Sequence, residues 1–197
     1  EDIRRILRIQ GIQSIDYSFV DDELTRNQLI MDNIRMEDCL LDNSLSIEEK
    51  WYEFCSYIHF QLENILNYYY TKAFSMINKS AKKDYIPAQN LVGLMYEEGT
   101  GVNKNPKAAF EWYEISAKQG SSLGQHRLAT AYYNGLGVES DYAKAFEWFE
   151  KSAIQGFDLA QHDVGVMYNN GQGVAKNKVK AAEWFSKSCS TGNKNGC

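Results

Sequence analysis

Trp112, Trp148 and Trp184 stand 36 residues apart. Sliding the chain by 36 residues superposes three units without a gap. They begin AQNLVGLMYEEGTGV at Ala88, GQHRLATAYYNGLGV at Gly124 and AQHDVGVMYNNGQGV at Ala160. Ten columns are identical in all three: Gln89, Tyr96, Gly99, Gly101, Val102, Ala109, Glu111, Trp112, Ser116 and Gly120, with their equivalents at +36 and +72. A repeat of this period is one supersecondary unit that cannot bury its apolar face alone. The chain is therefore expected to build a linear array in which each unit packs mainly on its neighbours.

Each unit reads as two helices. In the first, Ala88, Val92, Gly93 and Tyr96 share one side of a 3.6-residue wheel. The run stops at Gly99, a residue able to end a helix in the left-handed conformation. Asn105 then offers an N-cap, with Pro106 at the first helical position; Asp141 and Asn177 hold the same cap column. The second helix carries Ala109, Trp112, Tyr113, Ser116 and Ala117 on one face and ends at Gly120. The spacing predicts antiparallel pairs at 88–98 with 106–119, 124–134 with 141–155, and 160–170 with 177–190. Small residues at Gly93/Ala129/Gly165 and Ala109/Ala145/Ala181 let helices approach, and the three tryptophans are expected to lie largely buried between them.

A worn fourth copy is expected at 46–87. Ala73, Phe74, Ser80 and Ala81 align with Ala109, Phe110, Ser116 and Ala117. Residues 46–66 would supply its first helix, with Ser46 and Glu49 in a capping-box pattern. It lacks the G-x-G-V signature, as suits a terminal cap. The expected organisation is an acidic helical segment at 1–45, a degenerate repeat at 46–87, and repeats at 88–123, 124–159 and 160–197.

The fold class expected is all-α, and the charge distribution sets the first 45 residues apart from it. They hold 10 acids and 5 bases, whereas the remaining residues balance at 16 and 16, so the whole net charge of −5 sits there. Ile3, Ile6 and Leu7 oppose Arg4, Arg5 and Arg8 in a short amphipathic run. Residues 21–42 read as a helix capped by Asp21 or Asp22, with Leu24, Met31, Ile34 and Leu41 as its stripe. The segment either caps the first repeat or docks on a partner or a second copy of the chain. An acidic balance argues against a general nucleic-acid surface. No apolar run approaches 18 residues, which argues against a membrane-inserted helix. The chain begins on Glu1 rather than Met, compatible with removal of an upstream segment such as a signal peptide.

The pattern A-x3-[VL]-[GA]-x2-Y-x2-G-x-G-V, followed by K-A-x2-W-[YF]-x2-[SA]-A-x2-G, resembles the Sel-1-like repeat, a relative of the tetratricopeptide repeats. The likeness covers 88–197 firmly and 46–87 weakly. It implies an α-solenoid, a right-handed superhelix of antiparallel helix pairs, with about three clear repeats and a degenerate one. The motif is specific for fold and not for function; the reading as a non-enzymatic binding module comes from the want of a nucleophile, acid–base pair, metal set or phosphate loop in the sequence.

Residues that carry chemistry elsewhere have blander readings. The G-x-G loops lack the preceding strand and third glycine of a dinucleotide fingerprint, so loop geometry explains them. His126 and His162 share a column but no carboxylate or cysteine joins them in it, so no metal or other cofactor is expected; the column is read as facing outward to meet a partner. Ser80 and Lys83 form S-x-x-K, a spacing used by some penicillin-recognising enzymes, and secreted cysteine-rich members of the family have been linked to penicillin recognition. The companion S-D-N and K-T-G motifs are absent, and Ser80 aligns with the recurring Ser116, Ser152 and Ser188.

Four cysteines are present: Cys39, Cys55, Cys189 and Cys197. The secreted cysteine-rich branch closes pairs with the eight-residue spacing of Cys189 and Cys197 as disulfides. The resemblance thus implies a disulfide here and, with it, a periplasmic or secreted location; a cytoplasmic location is the alternative. Cys39 and Cys55 have no such spacing, and Cys55 reads as a buried thiol.

A solenoid offers a concave surface whose specificity lies off the packing frame. On the first-helix wheel, the side opposite Val92 and Tyr96 carries Asn90, Leu94 and Glu97. Their equivalents are His126, Thr130 and Tyr133, then His162, Val166 and Asn169. These nine are the expected partner-binding residues, with Tyr133 the chief anchor beside His126. The partner expected is another protein or peptide. One narrower version is a bacterial immunity protein that neutralises a toxic effector; the alternative from another class is a cell-wall-related penicillin-binding or hydrolytic protein.

Overall fold

The computed structural model describes residues 47–190, with the side chains of the leading helix described mostly from residue 63 onward. The expected helix at 21–42, Ser46, Cys39, Cys197 and the side chain of Cys55 lie outside that description. The chain divides into two compact units, 1–66 and 67–197. The second unit holds all three clear repeats.

Seven helices and no strand occur among the described residues. They are α1 (Ile47–Ala81), α2 (Ile86–Glu98), α3 (Pro106–Lys118), α4 (Ser122–Asn134), α5 (Tyr142–Ile154), α6 (Asp158–Asn170) and α7 (Lys178–Ser190). From α2 onward, each helix packs on the next, in three pairs that form a solenoid. The expected second helices agree to within one residue at each end. The first helices begin two residues earlier than expected, because their first turns use Pro87, the Ser121 cap and the Phe157–Asp158 junction. None of these belongs to an identical column.

Asn105, Asp141 and Asn177 cap the second helices as expected. Their side chains accept from Ala108 N at 3.1 Å, Lys144 N at 3.0 Å and Lys180 N at 3.0 Å. The loop glycines have two separate reasons to be glycine. Gly137 has φ +73°, and a Cβ there would be driven into the carbonyl of Pro106, at the start of the preceding second helix. Gly173 stands against Tyr142 and Gly101 against Tyr70 in the same way. Each loop therefore rests on the repeat before it, and the G-x-G signature is a stacking device.

Seams repeat with the same register. Phe74 meets Tyr96 edge to face with ring centres 5.3 Å apart, Phe110 meets Tyr132 at 5.3 Å, and Phe146 meets Tyr168 at 5.2 Å. Gln89, Gln125 and Gln161 are buried, and each donates through Nε2 to the carbonyl of the alanine eight residues before it: Ala81, Ala117 and Ala153, at 3.2–3.3 Å. These carbonyls lie at the end of the preceding helix, where each accepts the backbone N–H of Asp84, Gly120 or Gly156 and takes the glutamine as a second donor. The invariant glutamine is thus a strut that fastens one repeat to the next.

Two expectations need correction. The worn copy at 46–87 is not a helix pair. Its second half does take the second-helix role, since Phe74, Ile77 and Ala81 pack with Ala88 and Val92. But α1 runs unbroken for 35 residues. No glycine lies between residues 46 and 87, so nothing supplies the left-handed turn on which the other repeats reverse.

The second correction concerns the tryptophans, which are half-buried rather than enclosed. Lys151 Nζ lies 3.9 Å over the Trp148 ring centre, and Lys187 Nζ 4.0 Å over that of Trp184. The fully inward column is the next residue: Tyr113 is 3% exposed and Phe149 4%. Gly93 and Gly165 leave room for it, since a Cβ on either would strike the ring of Tyr113 or Phe185. An indole is large enough to keep one face at the surface, where a lysine stem covers it.

Candidate partner-binding face

The nine residues expected to form an open surface are not all open. Asn90 is half-buried and bonded within the protein: Ser116 Oγ donates to its Oδ1 at 2.6 Å, and its Nδ2 donates to Ser121 Oγ at 3.0 Å. His126, its equivalent one repeat later, has a side chain only 14% exposed. Its ring sits 5.3 Å from Phe149 and 5.1 Å from Phe157. Its Nε2 pairs with Asp163 Oδ2 at 2.9 Å, and His162 Nδ1 lies 3.4 Å from Asp163 Oδ1. The His162 ring faces Phe185 at 5.5 Å. The column expected to face outward therefore lines the seam between repeats. A first helix in a solenoid has neighbours on several sides, so the side opposite Val92 and Tyr96 is not automatically the free one.

Asp163 is the carboxylate that the shared histidine column lacks in sequence. It comes from the adjoining column and joins His126 to His162 across two repeats. Among the described residues, no three His, Cys, Asp or Glu side chains are arranged to hold a metal.

The remaining positions form a stripe that is partly open. Leu94, Thr130 and Val166 are half-buried, and Thr130 Oγ1 donates to His126 O at 2.9 Å. Asn169 is exposed. Tyr133 is half-buried: its ring stands 5.0 Å from Tyr142, and its hydroxyl donates to Gln172 Oε1 at 3.2 Å. Glu97 accepts a short hydrogen bond from Tyr113 Oη and lies 4.0 Å from Arg127 Nη1. Burial first, and the Glu97 carboxylate second, push the Tyr113 phenol far above its ordinary range. It is a fixed donor.

Sequence reasoning missed three large apolar residues that stand exposed on the first helices. Leu91, Leu123 and Leu159 are 41%, 39% and 46% exposed. Leu123 and Leu159 share a column, and the wheel could have found them, since each interrupts an otherwise polar first turn. A pocket of about 100 Å³ also opens between α2, α3 and α4, with Phe110, Tyr113, Ala131 and Leu136 among its walls. Ser80 sits in the last turn of α1 and Lys83 in the turn beyond it, so the S-x-x-K pair is not carried on one continuous helical face.

Stacked helix pairs on an invariant frame, with first-helix positions that change from repeat to repeat, define a helical-repeat scaffold. Sel1 repeats match at residues 86–121, 122–157 and 158–193, and the chain belongs to the Sel1 repeat family, whose members are generally protein-interaction modules. A Sel1 repeat protein from Oxalobacter formigenes is 30% identical with a TM-score of 0.62, the match covering 64% of this chain and 51% of that one. A protective antigen with an SLR fold, present in uropathogenic Escherichia coli strains, is 25% identical with a TM-score of 0.63, over 93% of this chain and 42% of that one. Cysteine rich protein B of Helicobacter pylori is 25% identical with a TM-score of 0.52, over 60% and 91%. The chain thus spans about half the length of the first of these and less of the second. Among curated proteins there is no match to the chain.

Proposed function

We propose that the chain holds a partner protein or peptide on the face built by α2, α4 and α6, as a non-catalytic adaptor. The observation that carries this is the change of chemistry along the first-helix columns around the exposed Leu91, Leu123 and Leu159; exposure alone does not choose the face, since Ile115, Ile154 and Val179 on the second helices are exposed as well. Exposed apolar side chains rimmed by polar and charged neighbours are the pattern of an interaction surface. Around them the columns vary in chemistry: Leu91/Arg127/Asp163, Leu94/Thr130/Val166 and Glu97/Tyr133/Asn169. No described residue favours the narrower immunity role or the penicillin-recognising one.

Capture from the native source, read by mass spectrometry, tests the reading. The chain and its Leu91→Ser/Leu123→Ser/Leu159→Ser variant are used as paired baits. A partner retained by the first and lost by the second, with similar melting of both baits, supports the face. Equal retention by both overturns it.

A periplasmic or secreted location belongs to the same proposal, together with a Cys189–Cys197 disulfide. The repeat register supports the pairing. Cys189 holds the column of Ala117 and Ala153, and Cys197 that of Gln125 and Gln161. In the preceding repeats those two columns are joined by the glutamine strut. A disulfide between them would replace a hydrogen bond with a covalent tie at the same place.

A further inference from the structure

The pocket between α2, α3 and α4 has a counterpart one repeat later, and the two differ in a way that indicates what enters the first. At the second seam, Tyr133 covers the equivalent site: its ring lies against Tyr142, and its hydroxyl reaches Gln172. At the first seam those three positions are Glu97, Pro106 and Leu136. The walls differ in size as well, since the column of Ala131 holds the larger, buried Met167 one repeat later; with Glu97 in place of Tyr133 and Ala131 in place of Met167, a pocket of about 100 Å³ is left at the first seam. Its walls include Pro106, Phe110, Tyr113 and Leu136. An engineered apolar cavity of about 150 Å³ takes up benzene, so a single leucine, methionine or phenylalanine side chain is of the right size. The acceptor of that hydroxyl, Gln172, is replaced here by Leu136, which favours an apolar tip.

The rim adds charge. Arg127 and Lys104 stand at its edge. Among the described residues, the only ion pair of Arg127 is the 4.0 Å approach to Glu97, whose nearer oxygen already accepts from Tyr113, and Lys104 makes none. Glu98 also lies near enough to act on Tyr113, so the rim carries both signs; with the nearer Glu97 oxygen engaged by Tyr113, Arg127 and Lys104 keep donors for a carboxylate of the partner.

We propose that this pocket receives an apolar side chain of the partner, carried next to an aspartate or glutamate that pairs with Arg127 and Lys104. This rests on the adaptor reading and specifies the partner's chemistry at one point of the face. The partner's side chain does at the first seam what Tyr133 does at the second.

The frame itself supplies the test variant. Glu97→Tyr/Tyr113→Phe places the Tyr133 and Phe149 of the next repeat at this seam to fill the pocket, and its melting is compared with that of wild type so that a loss of fold is told from a loss of binding. A phage-displayed library of random 12-residue peptides is selected on the whole chain, and the enriched peptides are titrated against wild type, this double variant, Arg127→Ser and Leu159→Ser. The expected motif is Leu, Met or Phe adjacent to Asp or Glu. Affinity is expected to fall at least tenfold in the double variant and three- to tenfold in Arg127→Ser, the latter gap closing at high salt. Enriched peptides that lack the motif, or that bind the double variant as well as wild type, overturn the proposal, as does the absence of any enrichment. Loss in Leu159→Ser with none in the double variant would retain the face and remove the pocket. Loss in no variant would remove both.

Discussion

At the scale of the residue, neighbours in sequence have opposite duties. Trp148 and Phe149 are adjacent, yet Phe149 is enclosed while Trp148 keeps one face under a lysine. Phe149→Ala is expected to cost about 3–5 kcal/mol, the usual range for a core aromatic. Trp148→Ala should cost roughly half that. Chemical denaturation of the two variants checks the order, and a larger loss for Trp148 would contradict the assignment. Tyr133 is likewise not a free anchor: its truncation removes a ring contact and a hydrogen bond to Gln172, so it should lower stability by about 1–2 kcal/mol and cannot serve as a neutral binding probe. Tyr113 makes a pH dependence. Its folded phenol titrates far above the ordinary value of 10.0, through burial and the Glu97 carboxylate. The stability it contributes is therefore fully present below about pH 10, where the unfolded tyrosine titrates, and is lost as pH rises beyond it, by about 1.4 kcal/mol per pH unit. Thermal melts between pH 9 and 11.5 should fall more steeply for wild type than for Tyr113→Phe.

At the scale of the element, the loop glycines separate conformational strain from packing. Gly137 and Gly156 both have positive φ, +73° and +89°, but only Gly137 faces a backbone, that of Pro106. Gly156→Ala is expected to cost about 1–2 kcal/mol from the left-handed conformation alone. Gly137→Ala should cost about 3 kcal/mol or more, because α3 must also shift. Equal losses would mean the loop does not bear on the preceding repeat. The helices of the repeats were legible in sequence because the 36-residue period shows the same glycines, caps and small residues three times over. The long α1 was not, since aligning Phe74 and Ala81 with the second helix invited an imagined first helix that no glycine terminates. The face was legible only in part. A wheel drawn around Val92 and Tyr96 locates one buried direction, whereas Asn90 and His126 are buried from another, by the next repeat. That second neighbour becomes visible only when the repeats are stacked.

At the scale of the whole molecule, each repeat is fastened to the one before by a glutamine strut, an aromatic pair and a loop glycine, and Cys189 and Cys197 hold the two columns that the strut joins. If those two are paired, native protein should leave both thiols unlabelled by an alkylating reagent until it is reduced, and reduction should loosen the last repeat first. Labelling of both before reduction would remove the argument for an oxidising compartment. The central claim is that the first helices, and not the second, hold the partner. Site-specific photo-crosslinking tests it directly, with benzoylphenylalanine placed at Leu123 or Leu159 on the first helices, or at exposed Glu147 or Glu183 on the second, in extracts of the native source. One partner adduct is expected from Leu123 and Leu159 and none from Glu147 or Glu183. The same adduct from the second-helix positions, with none from the first, would contradict the claim.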